Sequence, residues 1–321
     1  MTTYAGTWLP IATTQATAWD AISAIGAAFD AVGFGLTSDT GQITSAASIT
    51  IPTTASALAA PTALGYQMRR LVSSHGFGTI YVRLDFFVYP STSNTASTYR
   101  LLLRYTIGTG TNGAGVLSGT YTPSYTNYFN YLYMAASSIS LTATRPFYVS
   151  SDGENYVSFC NDPVLSSGAS GDAQSFVVER TRDPGTGTYT SAGFEIISPG
   201  NYAVAAAASD SGYYCGAAIS VANSTVLMIT DIPAQCPGYN LRSTSAATVY
   251  AYPISSFYPD PYGPITGAVA VMSSVATPGL TITTNMYGSD VTYIIAASCR
   301  GSILGGGYYT STFAKIAFRY D

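Results

Sequence analysis

Between residues 17 and 32 the apolar side chains Ala18, Ile22, Ile25, Phe29 and Val32 recur at alternating spacings of four and three. On a helix of 3.6 residues per turn these positions form one stripe, so the pattern predicts an amphipathic helix. Gly33 follows as its stop. Gly26, within the stripe, weakens such a helix by about 1 kcal/mol relative to alanine. The helix therefore needs a partner surface.

Beyond this point the period shortens. Residues 79–86 alternate toward their end, and 100–107 form a more continuously apolar run that suits a strand covered on both faces. Glycines and an Asn-Gly step at 108–115 predict a reversal with left-handed dihedrals, the tip of a long hairpin. Further short strands are expected at 146–150, 156–160, 175–180, 224–230, 248–252, 267–272, 280–285, 291–297 and 312–320, most of them next to turn residues. A helical turn at 203–208 is a weaker signal. The fold class expected is mainly β: antiparallel β-sandwiches with one N-terminal amphipathic helix, because a parallel α/β sheet would need helices between the strands. The turn-rich stretch 183–188 suggests a division into residues 1–190, the helix with a β-sandwich, and residues 191–321, a β-rich part either separate from or continuous with the first.

Composition narrows the function classes. Hydrophobic residues make up 47% of the chain and charged residues 9%, against about 25% charged in an average soluble protein. Ser, Thr, Gly and Tyr must form most of the polar exterior, and a surface so poor in charge packs densely against neighbours without long-range repulsion. Nucleic-acid binding needs clustered Lys and Arg. Here Lys315 is the sole lysine and Arg69 and Arg70 are the nearest approach to a basic cluster, so no nucleic-acid partner is expected. No basic and apolar leader opens the sequence and no run of 18 apolar residues occurs, from which assembly in a cytoplasm without membrane insertion is expected. Cys160, Cys215, Cys236 and Cys299 form no CxxC pair and are expected to be reduced; Cys215 and Cys236 are the nearest alternative pair.

Candidate chemistry is sparse. A single histidine, His75, excludes a multi-histidine zinc site, and no GxSxG elbow positions a serine beside it. The acids Asp152 and Glu154, and Glu179 and Asp183, are close enough in sequence to pose as a glycosidase pair, but the first two read as a turn between strands. The glycines of 108–113 have neither the following lysine nor the helix of a phosphate loop. The expectation is no enzyme and no cofactor. Tyrosine combines a broad apolar face with a polar tip and suits interfaces. The proline-stiffened stretch holding Tyr252, Phe257, Tyr258 and Tyr262 is the expected interface.

The helical opening at 19–29, the turn Ser38-Asp39-Thr40-Gly41 and the loop Gly108-Thr109-Gly110-Thr111-Asn112-Gly113 give the chain its likeness. As a whole it resembles the virion structural proteins of tailed bacteriophages, β-rich subunits poor in charge and rich in Ser, Thr, Gly and Tyr, although it lacks the long repeats of many phage fibres. The resemblance implies a non-enzymatic structural component of the virion, in the tail or its fibres, that forms homo-oligomers and packs against other virion proteins. A capsid decoration or head-fibre protein, and a carbohydrate-binding adhesin or depolymerase contacting a host surface glycan, are the alternatives.

Overall fold

The structure, a computed structural model, describes residues 2–9, 14–51, 62–90, 99–119, 131–133, 144–164, 174–198, 216–218, 226–228, 250–253, 263, 265–272, 277–296 and 314–321. The chain is mostly β, with antiparallel sheets and a single α-helix near the N-terminus among the described residues. In order the elements are β1 (Thr2–Trp8), α1 (Gln15–Ala31), β2 (Thr62–Leu71), β3 (Ile80–Pro90), β4 (Tyr99–Gly108), β5 (Gly110–Thr111), β6 (Leu117–Ser118), β7 (Tyr131–Tyr133), β8 (Arg145–Ser151) and β9 (Tyr156–Asn161). Then follow β10 (Gln174–Arg182), β11 (Tyr189–Ser198), β12 (Gly216–Ala218), β13 (Val226–Met228), β14 (Tyr250–Pro253), β15 (Ala268–Met272), β16 (Thr281–Met286), β17 (Ser289–Ile295) and β18 (Ala314–Arg319).

The larger sheet has the order β1-β8-β9-β10-β11-β12-β13, and a second has the order β2-β3-β4-β7. The stretch 183–188 is the turn between β10 and β11, which pair across it, so this sheet runs on past residue 190. The reversal at 108–115 carries its own small hairpin of β5 and β6 instead of a plain loop. Gly113 and Gly115 there take φ of 79° and 82°, which glycine adopts at no steric cost. A third sheet, β14-β15-β18-β17-β16, is built from residues after 250. The expected helical turn at 203–208 lies outside the described residues.

The stripe residues Ala18, Ile22, Ile25 and Phe29 of α1 are buried, as is Val32 at its C-cap. The helix begins with a capping box, in which the Thr14 hydroxyl accepts from the Thr17 amide and the Thr17 hydroxyl accepts from the Thr14 amide. It ends at Gly33, whose φ is 79°. The stripe enters one core shared with the seven-stranded and four-stranded sheets. Phe29 lies 5.6 Å from Phe159 and 6.3 Å from Phe176, and Phe176 stacks on Tyr105 of β4 at 5.1 Å.

Gly26 has a packing reason. A Cβ there would sit 3.1 Å from the Arg69 guanidinium, which donates to the Gly26 carbonyl at 3.1 Å. Arg69 is fully buried and also donates to the Phe34 carbonyl and the Asp30 carboxylate, both at 2.7 Å. Arg69 therefore belongs to the core and not to a basic surface.

Candidate functional site

Glu179 joins two sheets. It lies mid-strand in β10, fully buried, and its carboxylate accepts from the amides of Thr266 at 2.8 Å and Gly267 at 2.6 Å, just before β15. The Thr266 hydroxyl (2.8 Å), Tyr189 hydroxyl (3.1 Å) and Arg182 Nε (3.1 Å) complete its shell. Arg182 is sandwiched between the rings of Tyr189 and Tyr287, at 3.6 and 4.8 Å from their centres. A buried carboxylate is tolerated when charge and amide donors surround it. The same two sheets meet again where the Ser150 hydroxyl donates to the Asp321 carbonyl at 2.7 Å and Arg319 lies over Tyr156 at 4.8 Å.

Asp39 joins two turns. Its carboxylate accepts from the Thr37 hydroxyl at 2.5 Å, from the Gly115 amide at 3.1 Å and from the Thr111 hydroxyl. The Thr40 amide donates to the Gly113 carbonyl at 2.8 Å. The turn at 38–41 and the loop at 108–113, the two stretches that give the sequence much of its likeness, therefore meet in space. Tyr66 covers the junction, its hydroxyl donating to the Thr40 carbonyl. A Cβ on Gly115 would collide with that ring. Arg83 stacks on Tyr66 at 4.4 Å and donates to the Gly115 carbonyl at 2.5 Å.

Burial alone would push the Asp39 carboxyl up. The hydrogen bonds from Thr111, Thr37 and the Gly115 amide outweigh that and hold it below the usual carboxylate value. A depressed carboxyl stabilises the fold above its unfolded value of about 3.9 and loses that contribution as pH falls through the folded value. Asp39→Asn is expected to cost about 1–2 kcal/mol at pH 7, with the gap to the unsubstituted protein narrowing at pH 3. Urea unfolding at the two pH values measures both quantities.

The acids read from the sequence are engaged in turns and pairs. Asp152 accepts from the amides of Glu154, Asn155 and Tyr156 and so caps the turn between β8 and β9. Asp183 does the same for Gly185 and Thr186 between β10 and β11. His75 is exposed in the turn between β2 and β3, with its Nδ1 3.3 Å from the Ser74 hydroxyl and 3.9 Å from Glu154. A serine–histidine–acid triad needs the acid and the serine on opposite ring nitrogens. Here one nitrogen faces both, and Glu154 accepts directly from the Ser74 hydroxyl at 2.8 Å. The cluster ties two turns together.

No family model, curated protein or solved structure matches the chain. Tyr252, in the edge strand β14, pairs with Ala270, while Phe257, Tyr258 and Tyr262 lie outside the described residues. Their segment lies between Pro253, the last residue of β14, and Gly263, whose amide donates to the Arg182 carbonyl at 2.9 Å. Cys160 is buried and free, its thiol pushed up by that burial to about 12. Cys215, Cys236 and Cys299 lie outside the described residues. Among the described residues no group of three or more His, Cys, Asp or Glu side chains could hold a metal, and no helix is long and apolar enough to cross a membrane. The hub at Glu179 was missed as such in the sequence. Its signal is an acid and an arginine within the otherwise apolar Phe176-Val177-Val178 strand, which calls for a buried partner.

Proposed function

We propose that this protein is a structural subunit of a tailed-bacteriophage particle, in the tail or its fibres, that acts by packing against other virion proteins and against copies of itself. In this reading the seven-stranded and four-stranded sheets are the layers of a sandwich, and the chain catalyses no reaction and holds no cofactor. One observation carries it: among the described residues seven of the few charged side chains, Asp39, Arg69, Asp85, Asp162, Glu179, Arg180 and Arg319, are buried. Of twelve basic residues, Arg69, Arg83, Arg104, Arg145, Arg182 and Arg319 pair with carboxylates within the fold. The exterior is left poorer in charge than the composition alone implies. Interface cores are depleted of charge and rich in tyrosine, and the stretch with Tyr252, Phe257, Tyr258 and Tyr262 has both properties on a backbone stiffened by proline, which lowers the entropy lost on docking.

Light scattering at micromolar concentration, with the chain alone and mixed with tail or capsid proteins, is expected to report association, and aspartate at Phe257 and Tyr258 is expected to weaken it. A chain that stays monomeric with every partner, with particle assembly untouched by those substitutions, would reject the proposal.

A further inference from the structure

Sheet edges present unpaired backbone groups, and proteins usually cover them or guard them with charge or proline. Three edges here are dealt with. The outer side of β2 is covered by the 35–43 segment, through Thr37 to Met68 and Ile43 to Tyr66 backbone bonds of 2.9 and 2.8 Å. β1 lies against α1, and β14 ends in Pro253. Among the described residues the outer side of β16 has none of these protections.

The two-residue turn Tyr287-Gly288, with φ of 51° and 80°, closes the β16–β17 hairpin and sets its register. In such hairpins the pair flanking the turn is hydrogen-bonded and the pairs alternate from there. The amides and carbonyls of Met286, Thr284 and Ile282 therefore face β17, and those of Thr281, Thr283 and Asn285 face outward. The other end of the hairpin agrees, because the Ile295 amide donates to the Leu280 carbonyl at 2.9 Å. On the far side of β17, Thr292 alternates the same way and bonds with the Tyr320 amide and the Asp321 carboxylate. Thr281, Thr283 and Asn285 also carry exposed side chains, and among the described residues nothing bonds the backbone they turn outward.

We infer that β16 is a docking edge for β16 of a second copy of this chain, joined antiparallel about a twofold axis at Thr283. The register is self-complementary. Thr283 faces its own copy, Thr281 faces Asn285, and all of them exchange N–H and C=O bonds, continuing two five-stranded sheets into one. The strand Thr-Ile-Thr-Thr-Asn-Met has no charge to repel its copy and no proline to block the ladder. The one charge of the hairpin, Asp290, sits a strand further in, held by the Asn285 amide at 3.1 Å. An isologous contact of this kind closes at a dimer, because it uses up the β16 edge of both copies. It gives the self-association of the proposed function a specific contact.

Sedimentation of the full chain across micromolar concentrations is the test, together with Thr283→Lys, which sets two like charges opposite each other on the axis. The expected result is a dimer whose dissociation constant rises at least tenfold in the variant, with an unchanged melting curve for the monomer. Thr283→Cys provides the register. Directly opposed residues of a hydrogen-bonded pair have Cα atoms about 5.5 Å apart, within disulfide range, so oxidation is expected to link two copies beyond the background of the unsubstituted chain. Thr281→Cys, about 14 Å from its own copy at 3.4 Å per residue, is expected not to. A monomer at all concentrations, a dimer indifferent to Thr283→Lys, or equal linkage through Thr281→Cys would overturn the inference. Loss of the dimer in Thr283→Lys with association through the Phe257 and Tyr258 segment intact would separate this contact from the one proposed above.

Discussion

Glu179→Ala is expected to destabilise the protein by about 3–5 kcal/mol, the range for removing one partner of a buried ion pair. The loss has an identifiable origin. The amides of Thr266 and Gly267 lose a charged acceptor in a site closed to water, and Arg182 keeps its charge without its carboxylate. Glu179→Gln retains the shape but offers one acceptor oxygen where the carboxylate offers two, so it should recover only part of the loss. Because these bonds fasten the third sheet to the first, amide hydrogen exchange in β15, β17 and β18 should accelerate more than in β2 to β4. Uniform acceleration would show instead that the sheets unfold as one unit.

Ile25→Asp is expected to cost roughly 4 kcal/mol or more, because it sets an unpaired carboxylate in the core while deleting apolar contacts. Ile25 is fully buried in the middle of the α1 stripe. Ile25→Val, which removes one methylene, should cost about 0.5–1.5 kcal/mol. An unchanged melting temperature for the aspartate variant would mean that the helix does not pack as described.

The helix was legible because its burial is periodic: each of Ala18, Ile22, Ile25, Phe29 and Val32 points to the same core, and no polar residue interrupts them. The alternating or continuously apolar strands β3, β4, β9 and β10 were legible for the same reason. Strand β2 was not. Its interior holds Gln67 and Arg69, both buried, and a buried arginine in a strand looks, in sequence, like a surface charge. Strand β1 was hidden by its small polar residues; its strand character comes from pairing with β8, far along the chain. Strand β11, with Gly193 and Ser191 interrupting its pattern, needed β10 beside it. The polar hubs failed for a related reason. Asp39 and Gly113 were each legible as turn residues, but their meeting depends on the fold of everything between them.

The distance along the chain between partners also bears on how the protein forms. Trp8 in β1 donates its indole N–H to Asn161, 153 residues away, and Ser150 bonds to Asp321 across 171. Contacts that remote require large loops to close before they reward the chain, a pattern associated with slow folding. During synthesis, β1 emerges long before β8 and must remain without its partner strand while more than a hundred residues follow. The core around α1 can be completed only after Phe194 of β11 has left the ribosome, which makes this a protein whose folding is dominated by late, long-range closure.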